Sequence, residues 1–154
     1  MRLTSKGRYA VMAMTDLSVF SDADGASTRP VRLADIAERQ GISLAYLEQL
    51  FGRLKKAGLV EGVRGPTGGY RLARPAAAVS VADVIAAVDE AIATNACHDG
   101  GVVSCTGRSE KCLTHRLWAG LGRRINDYLG EITLADVASG QVDKPRRAAA
   151  EARP

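Results

Sequence analysis

Three thiols and one imidazole form the metal-capable set of this 154-residue chain: Cys97, Cys105, Cys112 and His115. Seven and six residues intervene between successive cysteines, and His115 follows Cys112 by three, where a helix is expected to begin. Positions i and i+3 share a helix face, so Cys112 and His115 can point at one metal while the loop before them brings round the other two thiolates. His98, directly beside Cys97, would need an awkward local backbone to converge on the same centre. By ligand type a Cys₃His set suits structural zinc and an iron-sulfur cluster alike, and zinc is the commoner occupant. The long gaps supply only one close pair instead of the two tight knuckles typical of structural zinc, which weakens that preference. Metal-free redox thiols, acidified by Arg108 or Lys111, are a third reading. An odd cysteine count without a secretory leader argues against a disulfide framework.

A second set of residues has the chemistry of reading a duplex. Ala37 and Gly41 are four apart, a small residue and then one that tolerates positive φ, as a helix-turn-helix needs where its helices meet. Ile42, Leu47 and Leu50 would fill the wedge. In the following helix Leu44, Leu47, Leu50, Phe51 and Leu54 take one face, and Ala45, Tyr46, Gln49, Arg53 and Lys56 the other. The second face suits a major groove. Gln49 can bind adenine in bidentate fashion, Ser43 and Tyr46 can donate to bases or phosphates, and Arg53 and Lys56 suit the backbone. Glu48 flanks that face; a carboxylate can accept from the amino group of cytosine and otherwise repels the DNA, so it should act as a negative discriminator.

Beyond Gly58, two short apolar runs enclose Gly65-Pro66-Thr67-Gly68-Gly69, with Arg64, Arg71 and Arg74 around them. This predicts a hairpin wing able to place an arginine in a minor groove. A phosphate-cradling loop is disfavoured, since no Gly-Lys-Ser/Thr follows and no helix starts there.

The positioning elements follow from periodicity. Helices are expected over about Lys6–Phe20, with Ala10, Ala13, Met14, Leu17 and Phe20 facing inward, over Leu33–Gln40 and over Ser43–Ala57, then a hairpin within Leu59–Arg74. Ser80 with Asp83 reads as an N-cap for a helix whose stripe is Val81, Val84, Ile85 and Val88. A loop is expected from Thr94 to Lys111, then a long helix from Leu113 to Ile132 carrying Leu117, Trp118, Leu121, Ile125, Tyr128, Leu129 and Ile132 on one stripe. A short helix begins at Thr133, and the tail reads as disordered. The expected architecture is mostly α with a small β-hairpin wing: a winged helix-turn-helix domain over 1–75, a metal-binding loop and long dimerisation helix over 76–139, and a tail over 140–154.

Charge divides the same way. Residues 1–75 carry 12 Lys/Arg against 7 Asp/Glu, whereas residues 76–154 carry 9 against 10. The first half is thus built to meet a polyanion. Arg2, Lys6, Arg8 and Asp16 interrupt the N-terminal stretch, and no apolar run approaches spanning length, so a cytoplasmic protein without membrane association is expected. With two histidines, one of them in the metal set, and no serine or carboxylate pair in a catalytic arrangement, an enzyme is not expected.

Four stretches carry a resemblance: Met-Arg-Leu-Thr-Ser-Lys-Gly-Arg-Tyr-Ala at the start, Ile-Ser-Leu-Ala-Tyr-Leu-Glu-Gln-Leu-Phe at 42–51, Val-Arg-Gly-Pro-Thr-Gly-Gly-Tyr at 63–70 and Lys-Cys-Leu-Thr-His at 111–115. Together they resemble the IscR family of iron-sulfur cluster regulators, over about residues 1–140. The resemblance implies a homodimeric winged-helix repressor and activator of iron-sulfur assembly genes. It implies a [2Fe-2S] cluster on Cys97, Cys105, Cys112 and His115, delivered by the assembly machinery, whose occupancy changes DNA selectivity. It also implies double-stranded DNA contacts from Ser43, Tyr46, Gln49 and Arg64. Ala45 departs from the pattern, a serine being familiar there, and the stretch between Cys97 and Cys105 is slightly longer than the family's.

Overall fold

The computed structural model describes residues 5–21, 29–88 and 113–143. In chain order the elements are α1 (Ser5–Ser21), α2 (Leu33–Gln40), α3 (Leu44–Lys56), β1 (Val60–Val63), β2 (Gly69–Leu72), α4 (Val81–Ala87), α5 (His115–Glu131) and α6 (Leu134–Ala138), with a 3₁₀ turn at Ala76–Ala78. The expected loop from Thr94 to Lys111 and most of the tail lie outside the described residues.

In α1 the buried stripe is Ala10, Ala13, Met14 and Leu17, and its next member is Ser21. Phe20, expected inside, is 45% exposed. A helix advances 100° per residue, so four steps from Leu17 hold the stripe better than three here. The Phe20 ring instead lies under the Arg39 guanidinium, 3.9 Å from its centroid.

Gly41 closes α2 in the left-handed conformation at φ 63°, and the Ile42 amide donates to the Ala37 carbonyl at 3.1 Å. This closure turns the chain sharply into α3. There Leu47, Leu50, Phe51 and Leu54 are all buried. Leu44 continues their stripe but sits in the first turn, ahead of the packed region, and is 42% exposed.

β1 and β2 form an antiparallel hairpin in the register Val60↔Leu72, Glu61↔Arg71, Gly62↔Tyr70 and Val63↔Gly69. The segment entering α2 adds a third, one-residue strand. Val31 and Tyr70 exchange both backbone hydrogen bonds at 2.8 Å. That approach requires glycine at 69, where a Cβ would stand 2.4 Å from the Val31 carbonyl oxygen. The Tyr70 ring meets Phe51 edge-on, at 5.0 Å between centroids, which docks the wing on α3.

α4 and α6 start back to back. Ser80 and Asp83 form one capping box, Thr133 and Asp136 another, and Ser80 pairs with Thr133 in an isolated bridge. Val79, Val84, Val88 and Leu134 thereby join the core that α1, α2 and α3 build. A smaller cluster of Val81, Ile85 and Ile132, with Leu129 against it, seats the end of α5. The single stripe read along α5 therefore splits: Leu129 and Ile132 turn inward, while Leu117, Trp118, Leu121 and Tyr128 remain exposed. Among the described residues, no helix is long and apolar enough to cross a membrane.

Candidate nucleic-acid interface and metal ligand

The α3 face opposite the core presents Ala45, Glu48, Gln49 and Lys56 to solvent, with Tyr46 half-buried beside them. Ser43 is the N-cap of α3, and its hydroxyl oxygen accepts from the Tyr46 amide at 3.3 Å. The hydroxyl hydrogen is left to donate outward, so a structural role and a phosphate contact are compatible. Tyr46 meets the Tyr9 ring of α1 edge-on, with centroids 6.0 Å apart. This fixes the ring while its hydroxyl can reach a partner.

Leu44 is an addition that sequence periodicity concealed. Exposed next to Ser43, it is an apolar side chain of the kind that can meet a thymine methyl group. Only the end of the neighbouring packing, not the helical period, distinguishes it from Leu47.

Two arginines stand differently from their sequence expectation. Arg53 is half-buried, and Nη1 donates to the Val88 carbonyl at 3.5 Å, tying α3 to the end of α4. Arg71 lies opposite Glu61 in the hairpin ladder and pairs with it at 3.0 Å, so it serves the strands and not the tip. Arg64 is exposed where β1 runs into the wing tip.

Long-range polar contacts tie α2, which precedes this face, to α1. Arg39 and Gln40, at the end of α2, both donate to the buried Asp16 carboxylate of α1. Hydrogen bonding to Asp16 raises the Arg39 guanidinium above its ordinary pKa, so it stays charged.

Of the metal set, His115 alone falls within the described residues; Cys97, Cys105 and Cys112 lie outside them. His115 is the first residue of α5 and is 7% exposed. Its Nδ1 is buried with no hydrogen-bond partner. A buried polar atom left unpaired costs about 1–3 kcal/mol, so an orphaned imidazole nitrogen fits a ligand waiting for its metal. Among the described residues, no cluster of three or more ligating side chains occurs.

Residues 3–140 match the Rrf2 family, described as an iron-dependent transcriptional regulator. The chain is 53% identical over 141 residues to the HTH-type transcriptional regulator IscR of Klebsiella pneumoniae (strain 342), covering 92% of this chain and 82% of that protein. It is 56% identical over 137 residues to the HTH-type transcriptional regulator IscR of Vibrio cholerae, covering 89% and 75%. Among solved structures, T. potens IscR superposes with a TM-score of 0.71 at 34% identity, over 95% of this chain and 93% of that one. CymR, the global cysteine regulator of B. subtilis, gives 0.72 at 28% identity, over 91% and 98%.

Proposed function

The chain belongs to the Rrf2 family of transcriptional regulators, and from that membership we propose that it senses iron-sulfur status through a [2Fe-2S] cluster held by Cys97, Cys105, Cys112 and His115. It is a DNA-binding regulator and not an enzyme. The observation that carries the cluster assignment is the buried, unpartnered His115 Nδ1, three residues beyond Cys112 at the start of α5. When bound, the cluster would be held by these four residues and would supply a redox-sensitive signal.

Residues 1–75 are the reading head, 76–139 the sensing and dimerisation part, and 140–154 a tail. Ser43, Tyr46, Gln49, Arg53 and Arg64 contact the duplex. Gln49 reads adenine, Arg64 enters the minor groove, and Arg53 divides its donors between Val88 and a phosphate. Glu48 discriminates among sequences, accepting from an amino group such as that of cytosine and repelling base edges that offer acceptors. The protein acts in the cytoplasm as a homodimer whose α5 helices cover each other's apolar stripes, setting two heads about one DNA turn apart. Cluster occupancy would alter the approach to Glu48 and change which sequences are accepted, and the one chain would both repress and activate iron-sulfur assembly genes. The assembly machinery is its cluster donor.

Visible absorption of protein purified without oxygen, with iron, sulfide and zinc analysis, tests the reading. Two irons and two sulfides per chain, bleached by reductant, are expected. Colourless protein containing zinc would overturn the sensing role while leaving the DNA-binding one in place. Equal affinities of cluster-bound and apo protein across all duplexes, at fixed salt, would overturn the change of selectivity.

A further inference from the structure

A cleft of about 550 Å³ opens between the wing tip and the entry to α2, with Arg29, Pro30 and Arg32 on one wall and Pro66, Thr67 and Gly68 on the other. Its walls are held together by the Val31–Tyr70 bridge, which draws the chain before α2 alongside the hairpin.

Arg32 occupies the N-cap of α2 without making a side-chain cap bond. Ser, Thr, Asp or Asn would serve there, and a cation at a helix N-terminus is opposed by the macrodipole. Its guanidinium turns onto Asp35, also in the cleft, at 3.0 Å, yet the Arg32 side chain stays 69% exposed. Such an exposed pair adds little to folding. A residue that breaks the local rule without a folding return points to a surface role. Nε and Nη2 face Asp35, which leaves the other edge of the five-donor fork for a second anion.

We propose that this cleft binds a DNA backbone phosphate beside the wing, with Arg32 as the direct donor, Arg29 as a second cation, and Asp35 orienting Arg32. The inference rests on the DNA-binding reading above. A hairpin inserted into a minor groove runs between two rows of phosphates, since that groove is only about 6 Å wide. One row passes the α2 side of the wing, where this cleft lies, and the first helix of a helix-turn-helix crosses the backbone. Arg29 and Arg32 line the cleft together with the single carboxylate of Asp35.

The test uses the full chain purified without oxygen and a duplex that the wild-type protein retains from a randomised pool, with affinity measured across a salt series. R29A/R32A is expected to bind roughly five-fold or more weakly at fixed salt and to lower the slope of log affinity against log salt by about 1. R32A/D35N, which removes both charges of the pair, is expected to stay weak. A single neutral methylphosphonate at the phosphate facing the cleft should weaken the wild type and leave R29A/R32A unchanged. An unaltered slope in R29A/R32A overturns the inference alone, as does recovery of wild-type binding in R32A/D35N, which would trace the loss to the bared Asp35 carboxylate. A wild-type chain that retains no duplex from the pool overturns the DNA reading and the inference with it.

Discussion

Asp16 and Arg39 are joined by a bidentate ion pair across the α1–α2 interface, with Arg39 Nη2 2.6 Å from Oδ1 and Nε 3.0 Å from Oδ2. The Asp16 side chain is 1% exposed and also accepts from Gln40 Nε2 at 2.7 Å. Because Phe20 covers the guanidinium plane, the pair is fixed from two directions. α2 therefore cannot slide on α1 without baring a carboxylate, and α3 inherits that fixed position through the Gly41 turn.

Arg39→Ala should destabilise the fold by about 3 kcal/mol, since it strands a buried carboxylate with Gln40 as its remaining side-chain donor. Urea unfolding measures it, and a loss under about 1 kcal/mol would make the pair incidental. The arginine's raised pKa also fixes the sign of its pH dependence. Its contribution is complete below the ordinary arginine value and is lost only as pH rises through the raised one, far into strong alkali. Wild-type and Arg39→Ala stabilities should thus keep a constant gap between about pH 6 and 9.

Gly69→Ala is expected to disrupt the wing, because its methyl group would stand 2.4 Å from the Val31 carbonyl oxygen and neither backbone can yield without breaking the Val31–Tyr70 bridge. A loss of about 1–3 kcal/mol and weakened DNA binding should appear together. Gly41→Ala makes the contrast. Its Cβ would meet nothing within 4 Å, so only the left-handed φ is strained, and about 1 kcal/mol is expected. Equal effects at the two sites in thermal melts and DNA titrations would refute the steric account.

Local chemistry was the part of this molecule most legible in sequence. Leu33–Gln40 with Gly41 after it, the Ser80–Asp83 box and the Thr133 start all rest on interactions within four residues, and all appear as read. The role of Asp16 is not legible locally because its partners are 23 and 24 residues away. Phe20 and Leu44 fitted a periodic stripe, but a period does not reveal where the neighbouring element ends. Arg71 looked like a tip residue until the register set it opposite Glu61. The proposed metal set rests on ligand types and spacing, and because zinc and a cluster accept the same four residues, spacing alone does not separate them.

Cys105→Ala should remove bound iron and visible colour while leaving a folded dimer. The described cores are built from residues outside the cysteine-bearing stretch, so far-ultraviolet circular dichroism and the melting transition of apo protein should match the wild type. Collapse of the variant at ordinary temperature would mean that the ligands hold the fold as structural zinc sites do.

Leu121→Asp should convert the proposed homodimer to a monomer without unfolding it. Leu117, Trp118, Leu121 and Tyr128 form an exposed apolar row, whereas the apolar residues that seat this helix, Leu129 and Ile132, lie at its C-terminal end and its buried residues are His115 and Gly122. A charge at Leu121 therefore spoils the outer face and spares the core. Sedimentation of both proteins reads the change directly. The binding loss should be much larger on a duplex with two half-sites than on one with a single half-site, because the dimer makes the second contact intramolecular. Equal losses on the two duplexes, or a wild-type chain that sediments as a monomer, would show that the row serves something other than pairing.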